Sequence, residues 1–359
     1  MSLMQSLRRR IELDGPMTVA DYMSECLLHP DYGYYTTAPA IGAEGDFITA
    51  PEISQMFGEL LGLVLVQSWL DQGRPQPFTL AELGPGRGTL MADMLRATRA
   101  VPGFHEAMEL LLIEASPRLR DLQRQALAPY APRWVPSVED LPQQPLFLVA
   151  NEFFDALPIR QFQREGNQWR ERRVGLAEDA SGLTLGLGAP APQPALAHRL
   201  EDTQDGDLVE HCEVAAVVTE AIAQRIGDHG GVALLVDYGD WRSLGDTLQA
   251  LRAHAPTDPL AEPGQADLTA HVDFEAICTA ASATGCAHTR LTPQGVFLER
   301  LGITDRANAL ASGAAGEPLA QIIAAHRRLT HPEEMGNLFK VLGLYPAKFA
   351  PPQDWKNDT

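Results

Sequence analysis

Short continuous apolar runs, each ending in a polar or glycine-rich cluster, set the rhythm of this chain. Phe78 to Leu83 (FTLAEL), Met108 to Ala115 (MELLLIEA), Pro145 to Ala150 (PLFLVA) and Gly231 to Tyr238 (GVALLVDY) are the clearest. Such runs lack the polar alternation of a half-exposed strand, so they predict strands buried on both faces, as in a parallel sheet. Arg133 to Val135 and Asn337 to Leu344 read as further strands. Helical periodicity fills the intervals: from Thr18, as cap, toward Tyr35; from Ala50 through Leu70, with Thr49 as cap and Pro51 in the first turn; from Thr89 to Thr98; and from Ser116-Pro117 to about Leu127. Later helices are expected at Leu208 to Ile226, at Asp273 to Thr284 and, two or three of them, within Phe297 to His331.

One region breaks this rhythm. From Arg160 to Leu187 the pattern alternates, as antiparallel strands joined by polar turns do, and Ala189 to Pro194 (APAPQP) reads as a proline-rich surface loop. Gly245 to Leu268 is loop-rich. The expected partition is therefore 1–75, a helical N-terminal part; 76–160, an α/β core; 161–230, a hairpin and helical insertion; and 231–359, the rest of the core with a helical insertion.

The first strand predicts a ligand. It runs into Gly84, Gly86 and Gly88, then at once into a helix, and in open α/β sheets ligands bind where strands end beside a helix N-terminus. Without a Cβ these residues take positive φ and let the backbone approach a ligand closely. A Walker loop requires Gly-Lys-Ser/Thr, and the only lysines are Lys340, Lys348 and Lys356, which excludes ATP by that route. The spacing G-x-G-x-G differs from the dinucleotide G-x-G-x-x-G and disfavours NAD and FAD. Glu82, two residues before the first glycine, repels a pyrophosphate and favours a cationic amino acid. S-adenosylmethionine carries an ammonium, a sulfonium and no phosphate, so E-x-G-x-G-x-G resembles the first motif of class I methyltransferases. Glu114, ending the second strand, stands where Rossmann-type folds hold ribose hydroxyls. The third run opens into Asn151-Glu152-Phe153-Phe154-Asp155, an amide, two carboxylates and two aromatics converging at a strand end.

Composition narrows the partners. A formal charge of −19 opposes non-specific nucleic-acid binding and suits a basic protein or peptide. No apolar stretch of about 18 residues marks a membrane span. Cys26, Cys212, Cys278 and Cys286 are far apart, which implies reduced thiols and no zinc site. The N-terminal residues lack the apolar segment of a secretory signal, so the cytoplasm is the expected compartment.

Five stretches in order, GDFITAPEISQMFGE, ELGPGRGTLM, ANEFFDALPIRQF, ADLTAHVDF and NLFKVL, resemble the signatures of the MidA-like methyltransferases, which include a mitochondrial complex I assembly factor acting on arginine. The resemblance covers nearly the whole chain. It implies an α/β fold, a Rossmann-like class I methyltransferase sheet with helical and β-hairpin insertions, with 76–160 as the donor-binding core and S-adenosylmethionine as cofactor. It further implies a protein arginine as acceptor, in a subunit of NADH dehydrogenase, and an N-terminal motif that closes over the donor with Thr49 and Glu52 lining the pocket. Glu152, placed at the same sheet edge as the glycine loop, is the candidate carboxylate against the guanidinium. Asp155 is a second carboxylate or proton acceptor, Phe153 or Phe154 stacks on the guanidinium, and Asn151 contacts the donor. A nicotinamide or flavin oxidoreductase and a donor-binding assembly factor without turnover are the competing classes.

Overall fold

The computed structural model describes residues 2–37, 49–179, 182–349 and 351–352, so Gly45 to Ile48 of the N-terminal motif lie outside the described residues. The chain divides into two compact units built from interleaved stretches: Met1–Phe47, Asp155–Ala215 and Asp240–Asp273 form unit 1, and Ile48–Phe154, Ala216–Gly239 and Phe274–Thr359 form unit 2.

Unit 2 carries the sheet that the apolar runs predict. Its main strands are β1 (Phe78–Leu83), β2 (Met108–Ile113), β3 (Arg133–Val135), β4 (Leu146–Asn151), β5 (Gly231–Asp240), β6 (Cys286–His288) and β7 (Phe339–Pro346). They lie in the order β3-β2-β1-β4-β5-β7-β6. Neighbours from β3 through β5 are parallel, whereas β7 runs antiparallel to both β5 and β6. Every residue of β1 and β4 is buried, which is why neither alternates in sequence. The strand order reverses between β1 and β4. Such a switch point leaves a crevice at the carboxyl ends of its strands.

Two expectations change here. The helix expected from Ala50 through Leu70 is broken: Ser54 is extended and separates α1 (Ala50–Ile53) from α2 (Gln55–Asp71), its side chain capping α2 by accepting the Met56 N–H. Leu208 to Ile226 is likewise split into a strand, Leu208–His211, and a helix, Glu213–His229. Helix α2 is apolar nearly all round and lies tightly on α3 (Thr89–Thr98). A Cβ at Gly58 would stand 2.8 Å from Asp93 Cβ, and one at Gly62 would stand 2.9 Å from Met94 Cα, so both glycines serve close helix approach. Glu59, on the same helix, is buried and paired with Arg96 at 2.8 Å and Arg306 at 2.7 Å. Among the described residues no helix is long and apolar enough to cross a membrane.

Unit 1 holds an antiparallel sheet in which Gln168–Leu176 pairs with Met17–Thr18, Arg160–Glu165 and Leu183–Ala191, and Arg160–Glu165 pairs in turn with Leu208–His211. The expected loop at Ala189 to Pro194 is therefore strand through Ala191, and Pro190 is accommodated because, among the described residues, its strand pairs on one side only. The loop-rich stretch from Gly245 also contains small strands, Gln249–Arg252, Ala255–Thr257 and Asp267–Thr269. These are too short for a two-residue period to show. A core of Leu7, Tyr22, Met23, Ile159, Val174 and Leu268 holds unit 1 together.

Candidate functional site

The candidate donor site stands at the switch point of unit 2. In register, Leu83 faces Ile113 on one side and Ala150 on the other, so the next residues, Gly84, Glu114 and Asn151, emerge at one sheet edge. Gly84, Gly86 and Gly88 all have positive φ, of 58°, 54° and 85°. The Gly84 N–H continues the ladder to the Ile113 carbonyl at 3.0 Å, and Gly88 caps α3 in the left-handed conformation. The loop and the start of α3 therefore stand at the crevice. A Cβ at Gly84 would approach the Phe153 ring to 3.1 Å, so that ring covers the first glycine.

Two buried acids lie beside this loop. Glu82 is 2% exposed, and its Oε2 has no hydrogen-bond partner among the described residues. Burial, reinforced by the neighbouring Glu114, pushes its carboxyl up to about 8. Glu114 is also raised by burial, but the Ser116 N–H at 2.8 Å and the Gln123 side-chain amide at 3.0 Å offset much of that cost. Each Glu114 oxygen keeps a lone pair beyond these bonds, enough for two ribose hydroxyls. Gln123 is fully buried on α4 (Pro117–Ala126), donates to the Gly86 carbonyl at 2.7 Å as well as to Glu114, and accepts the Trp134 indole N–H at 2.7 Å. It ties loop and acid together. Sequence reasoning missed it, although an amide on the apolar face of an amphipathic helix is a signal of that kind.

The residues present fit an S-adenosylmethionine-type ligand. A buried carboxyl oxygen at Glu82 and the Asn151 Oδ1, both without a hydrogen-bond partner among the described residues, seek donors such as an ammonium.

Residues of the N-terminal motif meet the same elements. Thr49 occupies the N-cap position of α1, but its side chain makes no cap hydrogen bond, so it is not the simple cap that the residues alone favour. Glu52 accepts the Thr89 hydroxyl at 2.5 Å and lies 3.8 Å from Arg87, which fastens α1 to the end of the glycine loop. Glu152 accepts the Ala50 N–H at 3.2 Å and the Asn151 side-chain amide at 3.1 Å. Its φ of 51° is rare for a residue with a Cβ and marks stored backbone strain.

Asp237, which follows the apolar run of β5, was not singled out by sequence as a site residue. It is buried, and its Oδ2 accepts the N–H groups of Phe153 at 3.2 Å and Phe154 at 2.9 Å. Its signal in sequence is the position: an acid directly after a buried apolar run. Asp155 falls in unit 1, where it is buried, its carbonyl accepts the Ala270 N–H at 2.9 Å, and its charge helps raise Tyr35 together with burial and Asp267. The structure thus gathers Glu82, Gly84, Gly86, Gly88, Glu114, Asn151, Thr49, Glu52 and Glu152 in unit 2, and groups Asp155 with Tyr35 and Asp267.

A family model described as S-adenosyl-L-methionine-dependent methyltransferase matches residues 60–292. The zebrafish (Danio rerio) protein named "Protein arginine methyltransferase NDUFAF7, mitochondrial" is 36% identical over 96% of this chain and 86% of its own length. Its human counterpart is 35% identical over 96% and 83%. A Burkholderia thailandensis crystal structure bound to S-adenosyl-homocysteine superposes with a TM-score of 0.86 at 28% identity, covering 98% of this chain and 94% of that one. The relatives are named mitochondrial, which overturns the expectation of a cytoplasmic protein. The lack of an apolar N-terminal segment is too weak a ground for a compartment.

Proposed function

This chain belongs to the S-adenosyl-L-methionine-dependent methyltransferase family, and from that premise we propose that its acceptor is an arginine side chain of a protein. Family membership sets aside a nicotinamide or flavin oxidoreductase. The acceptor reading draws on the names of the relatives, which are arginine methyltransferases, and on the overall charge of −19, which suits a cationic partner. The family resemblance extends it to a subunit of respiratory NADH dehydrogenase and to the assembly of that complex.

The observation that carries the reading is the Glu152 carboxylate, held at left-handed φ directly after β4, one residue beyond the switch-point edge. When bound, the donor supplies a methyl group already activated on a sulfonium. What remains for the protein is orientation of the acceptor and access to a nitrogen electron pair. A guanidinium holds its proton above pH 12 or so and delocalises its electrons. A carboxylate that accepts two of its N–H groups orients the plane and draws positive charge away from the attacking nitrogen. Glu152 is assigned that role, with Phe153 or Phe154 against the guanidinium plane. For the donor, Glu82 faces the ammonium end, Glu114 the ribose, and Asn151, Thr49 and Glu52 line the pocket. The glycines give the backbone its close approach.

A second reading has its own support: Glu152 is engaged by the Ala50 N–H, as a purely structural carboxylate would be. Glu152→Gln separates the two. The glutamine keeps an oxygen for Ala50 and loses the charge. With methyl-labelled donor and cell extract, followed by mass spectrometry of the labelled protein, the variant is expected to bind S-adenosyl-homocysteine normally and to lose most label transfer to arginine. Transfer at the wild-type rate would assign Glu152 to structure and the catalytic carboxylate to another residue.

A further inference from the structure

The Asp237 carboxylate holds the two amides that follow Glu152, and we propose that it is a positioning residue for methyl transfer, setting both the Glu152 carboxylate and the Phe153 ring. The proposal rests on the acceptor-directed role of Glu152 argued above.

β5 pairs with β4 up to Val236 opposite Asn151, and the Glu152 N–H adds one more rung to the Val236 carbonyl at 2.9 Å. There the ladder stops, because the next residue of β5 offers its side chain in place of its backbone. One Asp237 oxygen accepts two successive amides, those of Phe153 and Phe154, and the other accepts the N–H of Tyr238 at 2.9 Å. Two consecutive N–H groups can converge on one oxygen only if the chain turns sharply. The turn places Glu152 at φ 51°, which a residue with a Cβ adopts only when its surroundings impose it. Asp237 is 1% exposed, so these charge-assisted bonds are sheltered from water and correspondingly stiff.

Two groups are aimed by that turn. The Glu152 carboxylate is brought to the Ala50 N–H and the Asn151 amide. The Phe153 ring is laid over Gly84 at the mouth of the glycine loop. Asp237 therefore acts at one remove from both substrates, through the peptide units of 153 and 154. A shift of about 1 Å in a reacting group costs a methyltransferase as it costs other enzymes, on the order of a hundredfold in rate.

The test is a double-variant cycle of Asp237→Asn with Glu152→Gln, each protein assayed for label transfer from methyl-labelled S-adenosylmethionine into extract protein at saturating donor, and for S-adenosyl-homocysteine affinity by calorimetry. Asp237→Asn, which exchanges one accepting oxygen for an amide donor, is expected to lower the rate about tenfold or more with affinity changed less than about threefold. In the Glu152→Gln background it is expected to lower the rate by a clearly smaller factor, since only the part that acts through the Phe153 ring remains. Non-additivity of that kind follows from acting through Glu152 and is not produced by general loosening of the fold. A wild-type rate for Asp237→Asn, or a loss that multiplies undiminished onto that of Glu152→Gln, overturns the positioning role while leaving the acceptor reading intact. A wild-type rate for Glu152→Gln alone instead removes the acceptor reading and this inference with it. Should Asp237→Asn not fold, Asp237→Glu takes its place: it keeps the charge, displaces it by a methylene, and is held to the same outcomes.

Discussion

Glu82→Gln tests the donor site through stability and affinity at once, because the same buried carboxyl acts on both with opposite sign. In the folded protein without donor the Glu82 carboxyl is raised from 4.5 to about 8 by burial and by Glu114. At pH 7 the unfolded chain has released this proton and the folded chain retains it. The difference between pH 7 and 4.5, at about 1.4 kcal/mol per pH unit, amounts to about 3 kcal/mol against folding. The sign follows from the raised acid: the penalty is absent below the unfolded value, grows as pH rises, and levels off above about 8. Glutamine is nearly isosteric and never ionises. Urea unfolding without donor is therefore expected to show the variant about 3 kcal/mol more stable at pH 7, with the gap closing toward pH 4.5. Binding reverses the order. A cationic ligand group requires the carboxylate, so wild-type affinity for S-adenosyl-homocysteine is expected to climb with pH toward 8, with proton release in calorimetry. The variant loses a charge-assisted bond, about 1.5 to 3 kcal/mol or roughly ten- to a hundredfold in affinity. Equal stability and equal affinity at pH 7 would show that this carboxyl is neither protonated in the free protein nor in contact with the donor.

Three further outcomes follow from the site. Glu114→Ala is expected to weaken S-adenosyl-homocysteine by about 1.5 to 3 kcal/mol in calorimetry, and undiminished affinity would remove the ribose assignment. Thr49→Ala is expected to change urea stability by less than about 0.5 kcal/mol, since the side chain makes no cap bond, while lowering donor affinity; a stability loss near 1 kcal/mol with normal affinity would restore the cap. For Glu59, burial opposes the charge but Arg306 and Arg96 outweigh it and hold the carboxyl below its usual range, so its contribution is present above the ordinary carboxylate range and lost as pH falls through the lowered value. Glu59→Ala is expected to cost about 1 to 3 kcal/mol at pH 7, moderated because both arginines are partly exposed, and urea curves that overlay those of the wild type would refute this.

What the sequence made legible was whatever local pattern alone determines. β1 and α3 have the bounds that their patterns indicate, because an apolar run, three glycines and a helical period admit one arrangement. The carboxyl-edge positions of Glu82, Glu114 and Asn151 follow from the same runs, since parallel register brings strand ends together. Side-chain partnerships across the sheet were not legible. That Asp237 receives the amides of Phe153 and Phe154 depends on β5 lying beside β4, and the two are separated by the whole of the alternating region. Likewise Glu152 and Ala50 are 102 positions apart. The break at Ser54 escaped because the flanking apolar residues keep a helical period through it, while the serine hydroxyl quietly starts a new helix.

The interleaving of the two units bears on the order in which the molecule can form during synthesis. β4 ends at Asn151, and its parallel neighbour β5 begins at Gly231, 80 positions later, with four strands of the unit 1 sheet and the whole of a long helix emitted in the interval. At about 5 to 20 residues per second, the ribosome takes roughly 4 to 16 s to cover that distance. For that time one edge of β4, a strand buried along its whole length in the finished sheet, has no partner from its own chain. The nascent protein therefore depends on unit 1 strands pairing among themselves and not with β4, and their arginine-rich and glutamate-rich faces, unlike the apolar run of β4, make the two kinds of edge poor matches for one another.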